Sequence, residues 1–158
     1  MANSQSMCTS FLGQLLTATH NFGTAPTRGT SAADTFKAAL YVTTATINAA
    51  TTAYSATNEV SGTGYTAGGI TVTNANAPTS TNSSATAGVG YWTPSASLVY
   101  STVTLTTAFD TVLIYNSSQS NAAVSVHTFG SQTITAGTFT LTMPSNTTTT
   151  ALLRLSTT

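Results

Sequence analysis

From residue 98 onward the chain alternates. "SLVYSTVTLTT" does so from Leu98 to Leu105, and "GTFTLTMP" sets Phe139, Leu141 and Met143 against Thr138, Thr140 and Thr142. Side chains of an extended strand point to opposite faces with a period of two. Such a pattern buries one face and wets the other only as a β-strand. The same reasoning reaches "DTFKAALYVT", with Phe36, Ala38, Leu40 and Val42 on one face and Lys37, Ala39, Tyr41 and Thr43 on the other, as in a half-buried strand. "AAVSVHTFG" sets Val124, Val126 and Thr128 against Ser125, His127 and Phe129. "TVLIYNS" is nearly continuous in apolar residues, as in a central strand covered on both faces. "GGITVT" starts a strand at Ile70, "VGYWTP" ends one before Pro94, which cannot donate to a ladder, and "TALLRLS" closes the chain. Short strands at intervals of roughly 8–12 residues with turns between them predict an all-β, single-domain sandwich, jelly-roll-like.

The N-terminal part differs. Residues 1–9 are small and polar and read as an arm. Ser10 is placed to cap a short helix in "SFLGQLLTATHNF", where Phe11, Leu12, Leu15 and Leu16 recur at helical spacing and Gly13 weakens it. "GTAPTRGTSAAD", with Pro26 and Gly29, is loop. This divides the chain into an arm with a short helix, 1–30, and a sandwich domain, 31–158. "INAATTAYSATNEV" suits a loop with one helical turn, and "NANAPTSTNSSATAG" a long polar surface loop.

Polarity here comes from hydroxyls and amides rather than charge. The chain of 158 residues holds 38 threonines, while charged residues make up 4%. Threonine is β-branched and suits a wet sheet face. The charges are Arg28, Lys37 and Arg154 against Asp34, Glu59 and Asp110, for a net charge of zero. Three dispersed cations cannot displace phosphate counterions, which excludes direct nucleic-acid binding, and they form no polybasic membrane patch. No apolar run reaches the length of a membrane-spanning helix. Low charge leaves association between copies weakly opposed. The composition fits a building block of an assembly and equally a secreted Ser/Thr-rich domain. "MANSQSMCTS" lacks a basic n-region and an apolar core, so synthesis in the cytoplasm is expected. The sequons at Asn82, Asn116 and Asn146 are chance matches in so Ser/Thr-rich a chain.

No catalytic, cofactor or metal site emerges. Asp34, Glu59 and Asp110 lie far apart in sequence. Asp34 reads as a turn or cap residue before the strand at Thr35, Asp110 as the turn between "TLTTAF" and "TVLIY", and Glu59 as the partner of a cation. There is no G-x-S-x-G elbow. His127 sits mid-strand as a sheet-surface or interface residue, and Cys8 lies in the arm with no prearranged base. Cys8 is also the sole cysteine, so no intrachain disulfide forms. No C-x-x-C, H-x-x-x-H or EF-hand spacing occurs. "EVSGTGYTAGGITVT" offers G-x-G and further glycines, as a phosphate loop would, but a strand pattern follows it rather than a helix, and no P-loop lysine is present. The glycines suit a bend around Tyr65 leading into Ile70.

The same stretch carries a likeness. "FKAALYVTTATINAATTAYSATNEVSGTGYTAGGITVTN" follows the outline F-K-x-A-L-Y, T-x-x-Y, E-V-x-G-x-G-Y-x-x-G-G, and "YWTP", "VLIYNSS", "AVSVHTFGSQTITAGTFTLTMP" and "ALLRL" continue it. Over roughly residues 10 to 156 the chain resembles small structural proteins of tailed bacteriophages. The resemblance implies a jelly-roll-like capsid decoration, or cement, protein on the outside of the head. It implies a trimer that bridges subunits of the major capsid protein, and so residence in the virion. Its signature residues are Glu59, Gly62, Gly64, Tyr65, Gly68 and Gly69, and it transfers no catalytic residue. Met1, Cys8, Phe11, Tyr65 and Trp92 are candidate interface residues, the arm being held by a neighbouring subunit. Two alternatives stand beside it. One is a tail, neck or baseplate-associated virion protein. The other is a glycan-binding β-sandwich for host adsorption that stacks sugars on Trp92 or the tyrosines, although Trp92, just before Pro94 at a strand end, suits a core anchor better.

Overall fold

The structure is a computed structural model that describes residues 3–16, 18–22, 33–74, 76–81 and 88–156. Within α1 the side chains of residues 12, 13 and 16 are outside this description. Its elements, in chain order, are β1 (Ser6–Met7), α1 (Thr9–Leu16), β2 (Phe36–Val42), β3 (Ile70–Thr71), β4 (Thr79–Ser80), β5 (Val89–Trp92), β6 (Leu98–Asn116), β7 (Ala122–Leu141) and β8 (Leu153–Ser156). They form two antiparallel sheets, one ordered β1-β7-β6-β2-β3 and one ordered β4-β5-β8. The expected all-β class with one short helix is what the chain adopts.

Two details differ from expectation in the same way. The alternating segment before Asp110 and the apolar run after it are one 19-residue strand, and the segments on either side of Gly130 are one 20-residue strand. Asp110 is therefore no turn. It lies inside β6, where the register shifts between Phe109 and Thr111, and its Oδ1 accepts from Asn3 Nδ2 (2.8 Å) and Thr111 Oγ1 (2.7 Å). A bulge absorbs the irregularity that a break would otherwise have to absorb. Gly130 similarly passes within the strand.

β2 is covered on both faces, not one. Ala39 and Tyr41 are as fully buried as Ala38 and Leu40. β6 flanks one edge, and the segment after Tyr54 folds over the other, with Tyr41 Oη donating to the Ser55 carbonyl (2.6 Å) and Val60 N donating to the Leu40 carbonyl (3.0 Å). That segment forms turns rather than the helical turn expected of it.

The described part of the N-terminal arm is held by its own chain. β1 pairs with β7, Ser6 opposite Val126, and Cys8 N donates to the Val124 carbonyl (3.0 Å). Asn3 anchors the segment ahead of it, with Nδ2 donating to the Val42 carbonyl and Oδ1 accepting from Ile47 N. The helix starts at Thr9, so Ser10 lies in its first turn, and its buried hydroxyl has no hydrogen-bond partner. The loop with Pro26 and Gly29, Arg28 and the sequon at Asn82 lie outside the described residues.

Aromatic rings join the two sheets. Phe22 stacks on Phe36 of β2 (4.3 Å between centroids) and tilts against Trp92 of β5 (4.7 Å), while Phe11 of α1 meets Phe22 edge-on. Each such ring buries surface worth about 1.5–3 kcal/mol. A second cluster of Tyr100, Phe109, Phe129 and Phe139 packs inside the far end of the β6–β7 hairpin.

Candidate functional site

The signature loop closes on itself. Glu59 lies on a bridge to Tyr41 at the edge of β2, and Thr63 bridges Thr104 of β6. Its carboxylate takes three donors. Tyr65 Oη (2.7 Å) and Gly68 N (2.8 Å) donate to Oε1, and Tyr54 Oη (2.7 Å) donates to Oε2. Tyr65 Oη also accepts from Leu40 N (3.0 Å), so one hydroxyl ties the β2 backbone to the carboxylate. Tyr115 Oη of β6 donates to the Gly68 carbonyl (2.8 Å), with its ring stacked on Tyr54 (4.7 Å). Tyr100 stacks on Tyr65 and donates to the Ala38 carbonyl (2.9 Å).

Burial, and then the Glu59 carboxylate, push Tyr54 and Tyr65 far above the usual phenol range. Both stay protonated and act as donors. Glu59 was expected to meet a cation. Lys37 is near, its Nζ about 3.8 Å from where a Gly68 side chain would begin, but phenols and an amide fill the carboxylate's bonds. Neutral donors suffice because charge-assisted bonds to a carboxylate are strong.

The glycines are there for backbone proximity. A Cβ on Gly69, at φ +70°, would stand 1.7 Å from the Ala38 carbonyl oxygen. One on Gly62 would stand 2.0 Å from that of Thr104, and one on Gly64 2.3 Å from that of Thr102. The loop thus lies directly on the β2 and β6 backbones. Three of its amides are spent inside it, Gly68 N on Glu59, Gly69 N on the Thr66 carbonyl and Tyr65 N on the Gly62 carbonyl. A phosphate would have to compete with a carboxylate already in place.

The other candidate interface residues lie inside the subunit. Cys8, Phe11 and Trp92 are 0%, 1% and 3% exposed. Trp92 Nε1 donates to Asn74 Oδ1 (2.8 Å) and the Asn76 carbonyl (3.1 Å), and its ring lines an apolar cleft beside α1. These large apolar groups are core because β5 and α1 fold over them. Met1 lies outside the described residues. Tyr65 is half-buried, and its hydroxyl meets β2 of its own chain. Burial pushes the Cys8 thiol from 9.0 up to about 11, roughly a hundredfold less thiolate. A thiol reagent at neutral pH should leave the folded protein unlabelled and react stoichiometrically once denaturant is added. Rapid native labelling would contradict this burial.

Two histidine clusters remain. Asp34 does more than cap a turn. It joins three segments, accepting from Asn21 N, Asn116 Nδ2 and Gln119 Nε2. Asn116 also reaches His20 Nδ1 (3.1 Å), and His20 Nε2 reaches Gln14 Oε1 (2.8 Å), which makes Nε2 the protonated nitrogen. Burial, partly offset by Asp34, lowers the His20 pKa. His127 Nε2 lies 2.9 Å from Ser125 Oγ, but Ser125 is 1% exposed, which keeps a substrate from that hydroxyl.

Burial pushes the His127 pKa from 6.5 down to about 4, so the folded state holds a neutral ring. Unfolding lets it take a proton below pH 6.5, and its stabilising share is lost as pH falls toward about 4. His127→Gln should flatten the fall in stability over that window by roughly 2 kcal/mol, allowing for the ring's partial exposure. Denaturant titrations of both proteins at each end of the window measure it. Identical pH profiles would contradict the neutral buried ring.

Among the described residues no three His, Cys, Asp or Glu side chains gather as a metal site, and no helix is long and apolar enough to cross a membrane. An apolar cleft of about 150 Å³ opens between α1 and the smaller sheet, with Leu15, Tyr91 and Leu155 on its walls. It has room for roughly a single aromatic ring. Fold and site together define an all-β protein whose distinguishing motif is a tyrosine–glutamate clasp. In comparison with known proteins, no family model, curated protein or solved structure matches the chain.

Of the clasp, the sequence pattern contained Glu59, Tyr65 and the glycines, and Tyr54 as the end of T-x-x-Y without a role. Tyr100 and Tyr115 carried no local signal.

Proposed function

We propose that the chain is a structural protein of a tailed-phage virion, a capsid decoration protein that binds the outside of the head and bridges major capsid protein subunits. The observation that carries this reading is the fate of the signature. The Glu59 carboxylate, the Tyr65 hydroxyl and the close backbone approach of Gly62, Gly64 and Gly69 are spent on holding a loop to β2 and β6, as suits a scaffold. The neutral, hydroxyl-rich surface supports it, because copies can crowd on a shell without repulsion.

The test is to purify heads with and without this protein and heat both. Heads lacking it should release DNA at lower temperature, and adding the pure protein back should restore them. Equal robustness would end the cement role. Copy number separates the nearest alternative, since hundreds per particle mean a shell and six or twelve a tail, neck or baseplate ring. The glycan-binding reading keeps only the cleft lined by Tyr91 and the nearly buried Trp92 as a stacking surface, and a glycan array without binding would remove it.

A further inference from the structure

Among the described residues, much of the larger sheet's edge is covered by the chain itself. The edge of β2 is covered by β3, Val60 and Asn58, and that of β6 by the loop at Thr63. The first part of β7 is covered by β1, Cys8 and the segment at Thr52–Ala53. From Gly130 to Leu141, β7 pairs with β6 on one side. Among the described residues, no backbone hydrogen bond joins its other side to any segment.

We infer that this edge is where two copies of the chain join, β7 pairing antiparallel with β7 across a two-fold axis near Phe139. An unpaired strand presents alternating N–H and C=O groups, and an antiparallel two-fold makes that row complementary to itself. Proteins that keep such an edge free guard it with lysine, inward charges, proline or strong bulges. β7 holds no Asp, Glu, Lys, Arg or Pro anywhere along it. Its guards are local irregularities, with register shifts beside Thr102 (φ +54°) and Ala136 (φ +46°) and again before Phe109, and beyond them Phe139 to Leu141 run in register with Tyr100, Val99 and Leu98.

The apolar groups agree. Ile134, Leu141 and Met143 pack on the core but remain half-open along this end of the hairpin, and a second copy would finish covering them. The outward side chains Thr138 and Thr140 are exposed and neutral, so nothing charged opposes a like surface. A copy is favoured over a charged partner for that reason.

The inference deepens the assembly reading and rests on it only for the biological setting, because the contact is tested with the pure chain and no capsid. With the axis at Phe139, Thr138 of one copy opposes Thr140 of the other. The double variant Thr138→Lys/Thr140→Lys then sets two pairs of like charges face to face, weakening the dimer by about tenfold or more.

Sedimentation of the wild-type chain over a concentration series should show a dimer that the variant loses. Hydrogen exchange on the wild type adds a reading free of any folding defect, since amides between Gly137 and Leu141 should gain protection as concentration rises. Three results would each overturn the proposal. They are a wild type that stays monomeric, an oligomer the lysines leave intact, and a dimer or trimer in which those amides exchange equally at all concentrations. Failure of the heated-head test with this dimer intact would remove the virion role alone.

Discussion

Gly69→Ala is expected to destabilise the protein by about 4 kcal/mol, at the severe end for a single substitution, and to lower the melting temperature by roughly 10 °C. Two costs add. The residue sits at φ +70°, where a side chain is strained, and its Cβ would stand 1.7 Å from the Ala38 carbonyl oxygen. That oxygen belongs to the middle of β2, which β6 holds on its other side, so the loop must lift instead. Lifting it disturbs the ladder between β2 and β3 and pulls Gly68 N from Glu59. Gly90→Ala and Gly130→Ala serve as controls, since nothing lies within 4 Å of a Cβ at either. Both should stay within about 1 kcal/mol of the wild type. Calorimetry on the three variants decides the matter, and equal melting temperatures would mean the loop does not lie on β2.

Glu59→Leu should cost about 3 kcal/mol, because it leaves two phenols and a backbone amide without their acceptor. Leucine fills much of the space, so the loss reports bonds rather than volume. Glu59→Gln should recover more than half of it. Its amide oxygen can still accept from Tyr65 and Gly68, and its NH2 can donate to a rotated Tyr54 hydroxyl. Tyr65→Phe removes the link to Leu40 N as well and should fall between the two. Denaturant midpoints for the series give the order. If leucine and glutamine cost the same, the carboxylate is not the hub of the loop.

Local pattern foretold some features and missed others for physical reasons. Alternation placed β2 and the two halves of each long strand correctly, because strand period is a property of neighbours in sequence. It broke β6 at Asp110, since a turn and a bulge both invite a short polar residue. What separates them is the pairing across to β7. Cys8 and Phe11 are interface candidates by sequence, yet an apolar side chain suits a core and a contact surface equally well, whereas Trp92 before Pro94 at a strand end already suits a core anchor. Only the packing of α1 and β5 against β2 chose the core. The apolar stripe in α1 did predict a helix, and Phe11 does face inward.

The sequence by itself determined that this is an uncharged β protein, because period-two alternation, threonine content and sparse charge act residue by residue. It also marked the glycine loop as special. The tertiary structure alone decided what the loop is for. Tyr115 meets Gly68 across 47 residues and Tyr65 meets Leu40 across 25, and no local spacing encodes such distances. Those long-range bonds turn an apparent ligand loop into a clasp. The same pairing covers β2 and the first part of β7 and leaves the far end of β7 without a second backbone partner among the described residues.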